Sequence, residues 1–411
     1  MRRFDAEALR PFIHGAGALV TGARGGLSPR RLPRWTSGQL DDPYFALMER
    51  CANGVGLRFG TTARRVVLRL ATTTVEVDGG TAPRPASVAV LIDGERAGLA
   101  PLPLGDVVHL TDRYAVRGVD RREPSVVGID LGDSATDGAV VELLLPHDRA
   151  VELLGLDADG EVSAVPHDDR FRWTHYGSSI SHGLEAPSPD LTWPAQVAIQ
   201  QRWRLRNLAF GGNALLDPFM ARVIGDAPAD LITLKVGINL VNADAMRHRV
   251  LVPALHGFLD TIRERQAETP LVLLTAVSCP AHERAPGPTV MAGGVAVAAR
   301  RGIEPDPGAL TLEDTRQALQ RVYEQRKRDD PRLHLVDGRR LLGPEDVGLL
   351  HDGLHPTAGG LTLIAGRFTD ALHAHGVPLA PPTTARGAAP EGRDVTRASS
   401  IDSENRSHYG F

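Results

Sequence analysis

The chain has 411 residues, 42% of them hydrophobic and 23% charged, with a formal net charge of -4. This length accommodates two ordinary domains, the composition is that of a globular protein, and the small negative charge offers no general attraction to nucleic acid or to a membrane surface. The two cysteines, Cys51 and Cys279, fall in no metal-ligand spacing and read as free thiols of a reducing cytoplasm.

The start, MRRFDAEALRPF, is basic, but Asp5, Glu7 and Arg10 interrupt the apolar core that a leader needs. The following FIHGAGALVTGA is too short and too glycine-rich to span a bilayer. A soluble, cytoplasmic protein is expected, with residues 1–55 as an extension packed on, or joined to, the part that follows. From 56 to 165 short β-rich runs such as RRVVLRLATTTVEV and AVVELLLPHD succeed one another without helices. Their partial alternation is that of half-buried strands, and Asp93-Gly94 and Gly79-Gly80 mark turns. An antiparallel β-sandwich of jelly-roll type is expected there.

The texture changes near Arg170. Short apolar runs, in RWTHYGS, LRNLAF, DLITLKVG, PLVLLTAV and RLHLVDG, now alternate with helical patterns. Buried strands with helices between them predict a parallel sheet of about five strands covered on both faces, a three-layer α/β/α domain over 170–378. Residues 278–310 are rich in Pro, Gly and Ala with no clear period and read as a long loop. The polar tail, 380–411, reads as disordered.

In such a sheet the reacting groups lie beyond the carboxyl ends of the strands. The first strand is followed by GSSISHG, the second by GGN at 211–213, the third by GIN at 237–239, and the last helix is preceded by HDGLHP with Asp352 and His355. A serine hydroxyl needs a base, His355 can supply it, and Asp352, three residues earlier, can orient and stabilise the imidazole. The oxyanion formed on acyl attack needs fixed donors, which the backbone N–H groups of Ser179 and Gly212 and the amide of Asn239 can provide.

These blocks resemble the SGNH hydrolases, the GDSL esterase/lipase superfamily, and with a β domain in front the chain looks like the actinobacterial members that carry a β-sandwich before the catalytic domain. The resemblance implies a flavodoxin-like fold, no cofactor and no metal, Ser179 as nucleophile, His355 as base, Asp352 completing the triad, and Ser179, Gly212 and Asn239 as the oxyanion hole. The first block departs from Gly-Asp-Ser, reading Gly177-Ser178-Ser179, which leaves Ser178 a rival by position; Ile180 after Ser179 favours the latter. Ala209 replaces a usual glycine and Leu240 a usual aspartate.

Other residues have plainer readings. His182 reads as a loop histidine at the rim, with substrate contact as the sharper alternative. Trp173 and Trp193 read as packing residues, His351 as a solvated neighbour, and Cys279, His282 and Glu283 as ordinary loop or core residues. The expected activity is hydrolysis of a short, acetyl-like acyl ester of a carbohydrate or small metabolite through an acyl-enzyme. The alternatives are an acyltransferase with the same triad, a lipase-like hydrolase, or a non-catalytic glycan-binding protein. No nucleic-acid or membrane partner is expected, and the sequence assigns no oligomeric state.

Overall fold

The computed structural model describes residues 1–78, 82–111, 115–135, 138–165, 168–299 and 308–379. The expected turn at Gly79-Gly80 and the tail 380–411 therefore lie outside the described residues.

The N-terminal region is built on two sheets that share one core. Alternation decides this: Ser125–Asp130 runs buried, exposed, buried along its whole length, so one face turns inward and the other meets solvent. The larger sheet has eight strands and centres on Arg65–Val77, which pairs antiparallel with Ala150–Ala158 and with Ser125–Asp130. Its pairing with Asp106–Leu110 is parallel, an exception in an otherwise antiparallel region. The smaller sheet has six strands and centres on Gly56–Thr61 and Ala139–Leu144. Between the sheets Leu57, Phe59 and Val141 meet Leu68, Leu70 and Leu153, all fully buried. Asp93 and Gly94 form the hairpin turn between Ala86–Ile92 and Glu95–Leu102, both with positive φ, as a tight two-residue hairpin requires.

Residues 1–55 serve both regions. The strands Arg2–Asp5, Ala18–Thr21 and Leu27–Arg30 belong to the larger sheet and Ile13–His14 to the smaller. The helix Pro43–Arg50, capped by Asp42 and opened by a proline, instead sends Phe45 and Met48 into the core of the C-terminal region.

That C-terminal region is an α/β layer structure around five parallel strands. In sheet order they are Arg204–Ala209, Arg172–Gly177, Leu231–Lys235, Leu271–Leu274 and Leu333–Val336. Leu231–Lys235 and Leu271–Leu274 are buried at every position, which only helices on both faces can achieve. Pro218–Asp226, His248–Arg263 and Leu312–Arg326 cover one face. Trp193–Gln200 and Ala358–Ala374 cover the other, where Trp173, Trp193 and Phe368 stack as packing residues. The first strand in the chain lies inside the sheet, flanked by the second and the third. That order creates a switch point, with a crevice outside the carboxyl ends of those three strands.

The segment read as one long loop contains a β-hairpin, Thr289–Ala292 with Val295–Ala298. Residues 300–307 lie outside the described part. The Ala296 N–H donates to the Asp352 carbonyl at 2.8 Å, which ties the hairpin to the turn before the last helix. No described helix is long and apolar enough to cross a membrane.

Candidate active site

Each block following a strand arrives at the crevice by a local device. After Gly177 the chain makes one short helical turn, Ser179–His182, closed by Gly183 in the left-handed conformation. Gly177 must lack a side chain, because a Cβ there would lie 2.7 Å from Ser181 Oγ. This turn separates the two candidate serines. Ser178 is fully buried and its hydroxyl has no hydrogen-bond partner among the described residues. Ser179 is partly exposed, and its Oγ stands 2.9 Å from His355 Nε2.

His355 and Asp352 lie in a turn just before Ala358–Ala374, rather than on the helix itself. Asp352 Oδ2 accepts from His355 Nδ1 at 2.7 Å, and its Oδ1 accepts from the backbone N–H groups of His355 at 2.6 Å and Leu354 at 2.9 Å. A carboxylate that receives three donors has its position and the histidine tautomer set together. Burial pushes the Asp352 pKa up, but the hydrogen bonds from the His355 side chain and backbone outweigh it and hold the group well below the ordinary carboxylate range. With Nδ1–H committed to Asp352, Nε2 is left to accept the Ser179 proton. His351 stacks beside His355 at 6.2 Å between ring centroids and directs its Nδ1 to the His355 carbonyl, so it buttresses the loop.

The donors for a developing oxyanion come from three elements. Ser179 N–H opens its helical turn and Gly212 N–H lies in a turn after the second strand, and neither has a backbone acceptor among the described residues. Gly212 has φ of +72°, and an added Cβ would lie 3.1 Å from Tyr44 Cε1. Asn239 is fully buried. Its Oδ1 accepts from Ala214 N–H at 3.0 Å, which fixes the amide orientation and, among the described residues, leaves Nδ2 with only a long 3.4 Å contact to Asn242. The hydrogen bond from Ala214 thus holds this amide in a sequence where Leu240 follows it. Gly237, with φ of +136°, makes the bend that brings Asn239 forward, and a side chain there would press on Thr315 and Ala276.

His182 is not at the rim. It is fully buried, and its Nε2 contacts the His147 carbonyl of the β region at 2.9 Å. Its own carbonyl accepts from Asn53 Nδ2 at 2.6 Å, and Asn207 bonds both Asn53 and Ser181. Burial first, then nearby Arg31, pushes the His182 pKa well down, so it stands there as a neutral strut. The substrate contact considered for it is corrected accordingly: the ring is fully buried against the β region. Cys279, His282 and Glu283 are likewise structural, since Glu283 pairs with Arg316 and accepts from Cys279 N–H, while His282 bonds Ala285 and Thr289. Among the described residues no group of His, Cys, Asp and Glu is arranged to hold a metal ion.

The site also has a wall that the motifs do not reveal. A Cβ on Gly211 would come within 3.3 Å of Leu184, Met48 and the Tyr44 hydroxyl. The helix Pro43–Arg50 therefore covers the glycine turn from outside the α/β region. Its sequence signal is the Asp42-Pro43 cap, which marks a helix but not its destination.

A hydroxyl, an imidazole and a carboxylate in series, beside a buried amide and two N–H groups at the switch point of a parallel sheet, define a serine-hydrolase type of α/β domain. Comparison with known proteins places it further. Residues 175–363 match the GDSL-like Lipase/Acylhydrolase family, so the chain carries a GDSL-like, or SGNH, hydrolase domain and is an enzyme of that class. Among solved structures it is similar to a salicylyl-acyltransferase from a tetracycline biosynthetic pathway, at 27% identity and TM-score 0.75, over 92% of this chain and 98% of that one. It is similar in fold to a family two carbohydrate esterase from Cellvibrio japonicus, at 13% identity and TM-score 0.54, over 91% and 97% of the two chains. It is also similar in fold to an acetyl xylan esterase from Butyrivibrio proteoclasticus, at 12% identity and TM-score 0.52, over 91% and 99%. A search of curated protein sequences finds no match.

Proposed function

We propose that the chain hydrolyses a short acyl ester of a small hydroxylated molecule through an acyl-enzyme on Ser179. The observation that carries this reading is the continuous contact from Ser179 Oγ through His355 to Asp352, at 2.9 and 2.7 Å. Ser179 Oγ attacks the ester carbonyl while His355 Nε2 takes its proton. The carbonyl oxygen, now negative, meets Ser179 N–H, Gly212 N–H and Asn239 Nδ2. Collapse expels the alcohol, which takes the proton from His355. Water then repeats the sequence on the acyl-enzyme and releases the acid. Asp352 keeps its charge throughout and stabilises the imidazolium.

A second reading, transfer of the acyl group to an alcohol instead of water, is favoured by the 27% identity to a salicylyl-acyltransferase across nearly the whole chain. Both readings share every residue and differ in what deacylates the enzyme. A carbohydrate substrate rests on a resemblance of fold alone, so a small hydroxylated metabolite fits the observations as well. The cytoplasmic placement is supported by two buried free thiols, Cys51 and Cys279.

The test is hydrolysis of p-nitrophenyl acetate, butyrate and octanoate by wild type and Ser179→Ala, with a fluorophosphonate probe on both. Short-ester turnover and labelling, both lost in the variant, are expected. Equal turnover by the two proteins would overturn the assignment. Adding an alcohol acceptor then separates the readings, because a transferase diverts product to a new ester.

A further inference from the structure

At the opposite end of the parallel strands the two regions line a cavity of about 390 Å³ that opens to solvent. Its walls come from both sides: Leu91, Val140 and Leu144 from the smaller sheet, and Ala198, Trp203 and Leu205 from the α/β region. Arg170 and Arg204, at the amino ends of the first two parallel strands, also line it. The strand Arg172–Gly177 separates it from Ser179, a span of roughly 17 Å at 3.3 Å per residue. The cavity is therefore no part of the site around Ser179.

Its charges are unequally satisfied. Glu142 is the buried anchor, bonded to Arg170 at 2.9 Å and within 3.1 Å of His14. Arg170 also holds Asp168 through two bonds of 2.8 Å, so each of its three nitrogens donates to a carboxylate. At the rim, Asp93 accepts from Val140 N–H and Arg202 pairs with Glu95. Arg58 and Arg204 differ. Arg58 stands 3.8 Å from Glu142 and also feels the charge of Asp168, and Arg204 stands 4.0 Å from Asp168, but neither side chain makes a hydrogen bond among the described residues. Arg58 is nevertheless only 18% exposed. A guanidinium carries five donors, and one placed against an apolar cavity with those donors unused is suited to a carboxylate or sulfonate. The volume falls in the range of small-molecule sites, which favour domain junctions and apolar walls with few polar groups.

We propose that this cavity is a second binding site, for a small apolar anion whose ring or alicyclic body lies between Leu144 and Ala198 and whose anionic group meets Arg58 and Arg204. The site takes a ligand and performs no chemistry on it.

Anilinonaphthalene sulfonate is a suitable probe, since it joins an apolar body to a fixed negative charge and fluoresces when sheltered. Its neutral counterpart, phenylnaphthylamine, reports the apolar contribution alone. Titration of the full chain should show saturable binding of the anion, tighter than that of the neutral probe and unchanged in Ser179→Ala. The pair Arg58→Met and Arg204→Met should weaken the anion about tenfold or more, as loss of charge-assisted hydrogen bonds does, and leave the neutral probe unaffected. Ala198→Trp, which fills the cavity, should abolish binding of both. If near-ultraviolet circular dichroism shows that variant misfolded, Leu144→Trp fills the space from the other wall. Anion binding that survives a folded cavity-filling variant, or a wild type that holds both probes equally well, would overturn the proposal.

Discussion

The β-rich region and the parallel sheet handle polar side chains in opposite ways. In Ser125–Asp130 every second residue faces water, so a polar group there costs little and carries no message. In Leu231–Lys235 and Leu271–Leu274 no residue does, so each polar side chain must be paired, tolerated at a cost, or used. The candidate active site lies where that second sheet ends and its backbone turns outward. Polar residues are thus informative in the C-terminal region and nearly silent in the N-terminal one, although composition alone does not distinguish them.

Substitutions in the two regions put this contrast to the test. The largest effect is expected at the crevice, where Ser179→Ala and His355→Ala should each lower kcat on p-nitrophenyl acetate by about 10⁴-fold or more, while Ser178→Ala stays within roughly threefold. Comparable losses in the two serine variants would put the nucleophile in doubt. Asn239→Ala should cost about 10²-fold in kcat with little change in KM, the signature of a donor that acts on the transition state. A fall confined to KM would instead make it a binding residue.

Stability should follow the same division. Leu273→Ala, in the doubly covered sheet, should cost about 2–5 kcal/mol in urea unfolding, whereas Val126→Ala, 68% exposed in the β region, should change stability by no more than about 0.5 kcal/mol. Equal costs would show that the two regions do not differ in burial as described.

Lys235 is the clearest case of a tolerated polar group. It is 2% exposed, its Nζ has no hydrogen-bond partner among the described residues, and burial, aided by Arg316, lowers its pKa to about 8. The folded chain therefore holds this proton less firmly than the unfolded chain, whose lysine pKa is about 10.4. The resulting penalty, up to about 3 kcal/mol, is fully present below pH 8 and fades as pH rises toward 10.4. Lys235→Met should stabilise the protein most at pH 7, with a gain that shrinks above pH 8 in paired melting curves. A gain independent of pH would mean that the lysine is not desolvated.

Much of this was legible in the chain because it depends on neighbours close in sequence. Gly177, Ser179, Gly212, Gly237 and Asn239 each follow a short apolar run, and Asp352 and His355 share one turn, so periodicity and spacing bring them to the same sheet edge. The turn at Asp93-Gly94 was legible for the same reason, since two positive φ values ask for those residues. His182 was not: its burial is decided by His147 and Asn53, which approach from other strands. The hairpin at 289–298 was hidden by glycines and prolines that read as loop, and its fixed point is Asp352, far along the chain.

Side-chain period and local backbone preference are enough to set the class of each region, the order of the parallel strands' terminal blocks and the residue types brought to their edge. What the chain did not reveal is that His182 is buried against His147, that Tyr44 leans on Gly212, and that Arg58 and Arg204 border one cavity. Those relations join segments whose separation in the chain leaves no periodic trace. They exist only once burial of the two apolar cores has brought the sheets and their covering helices together.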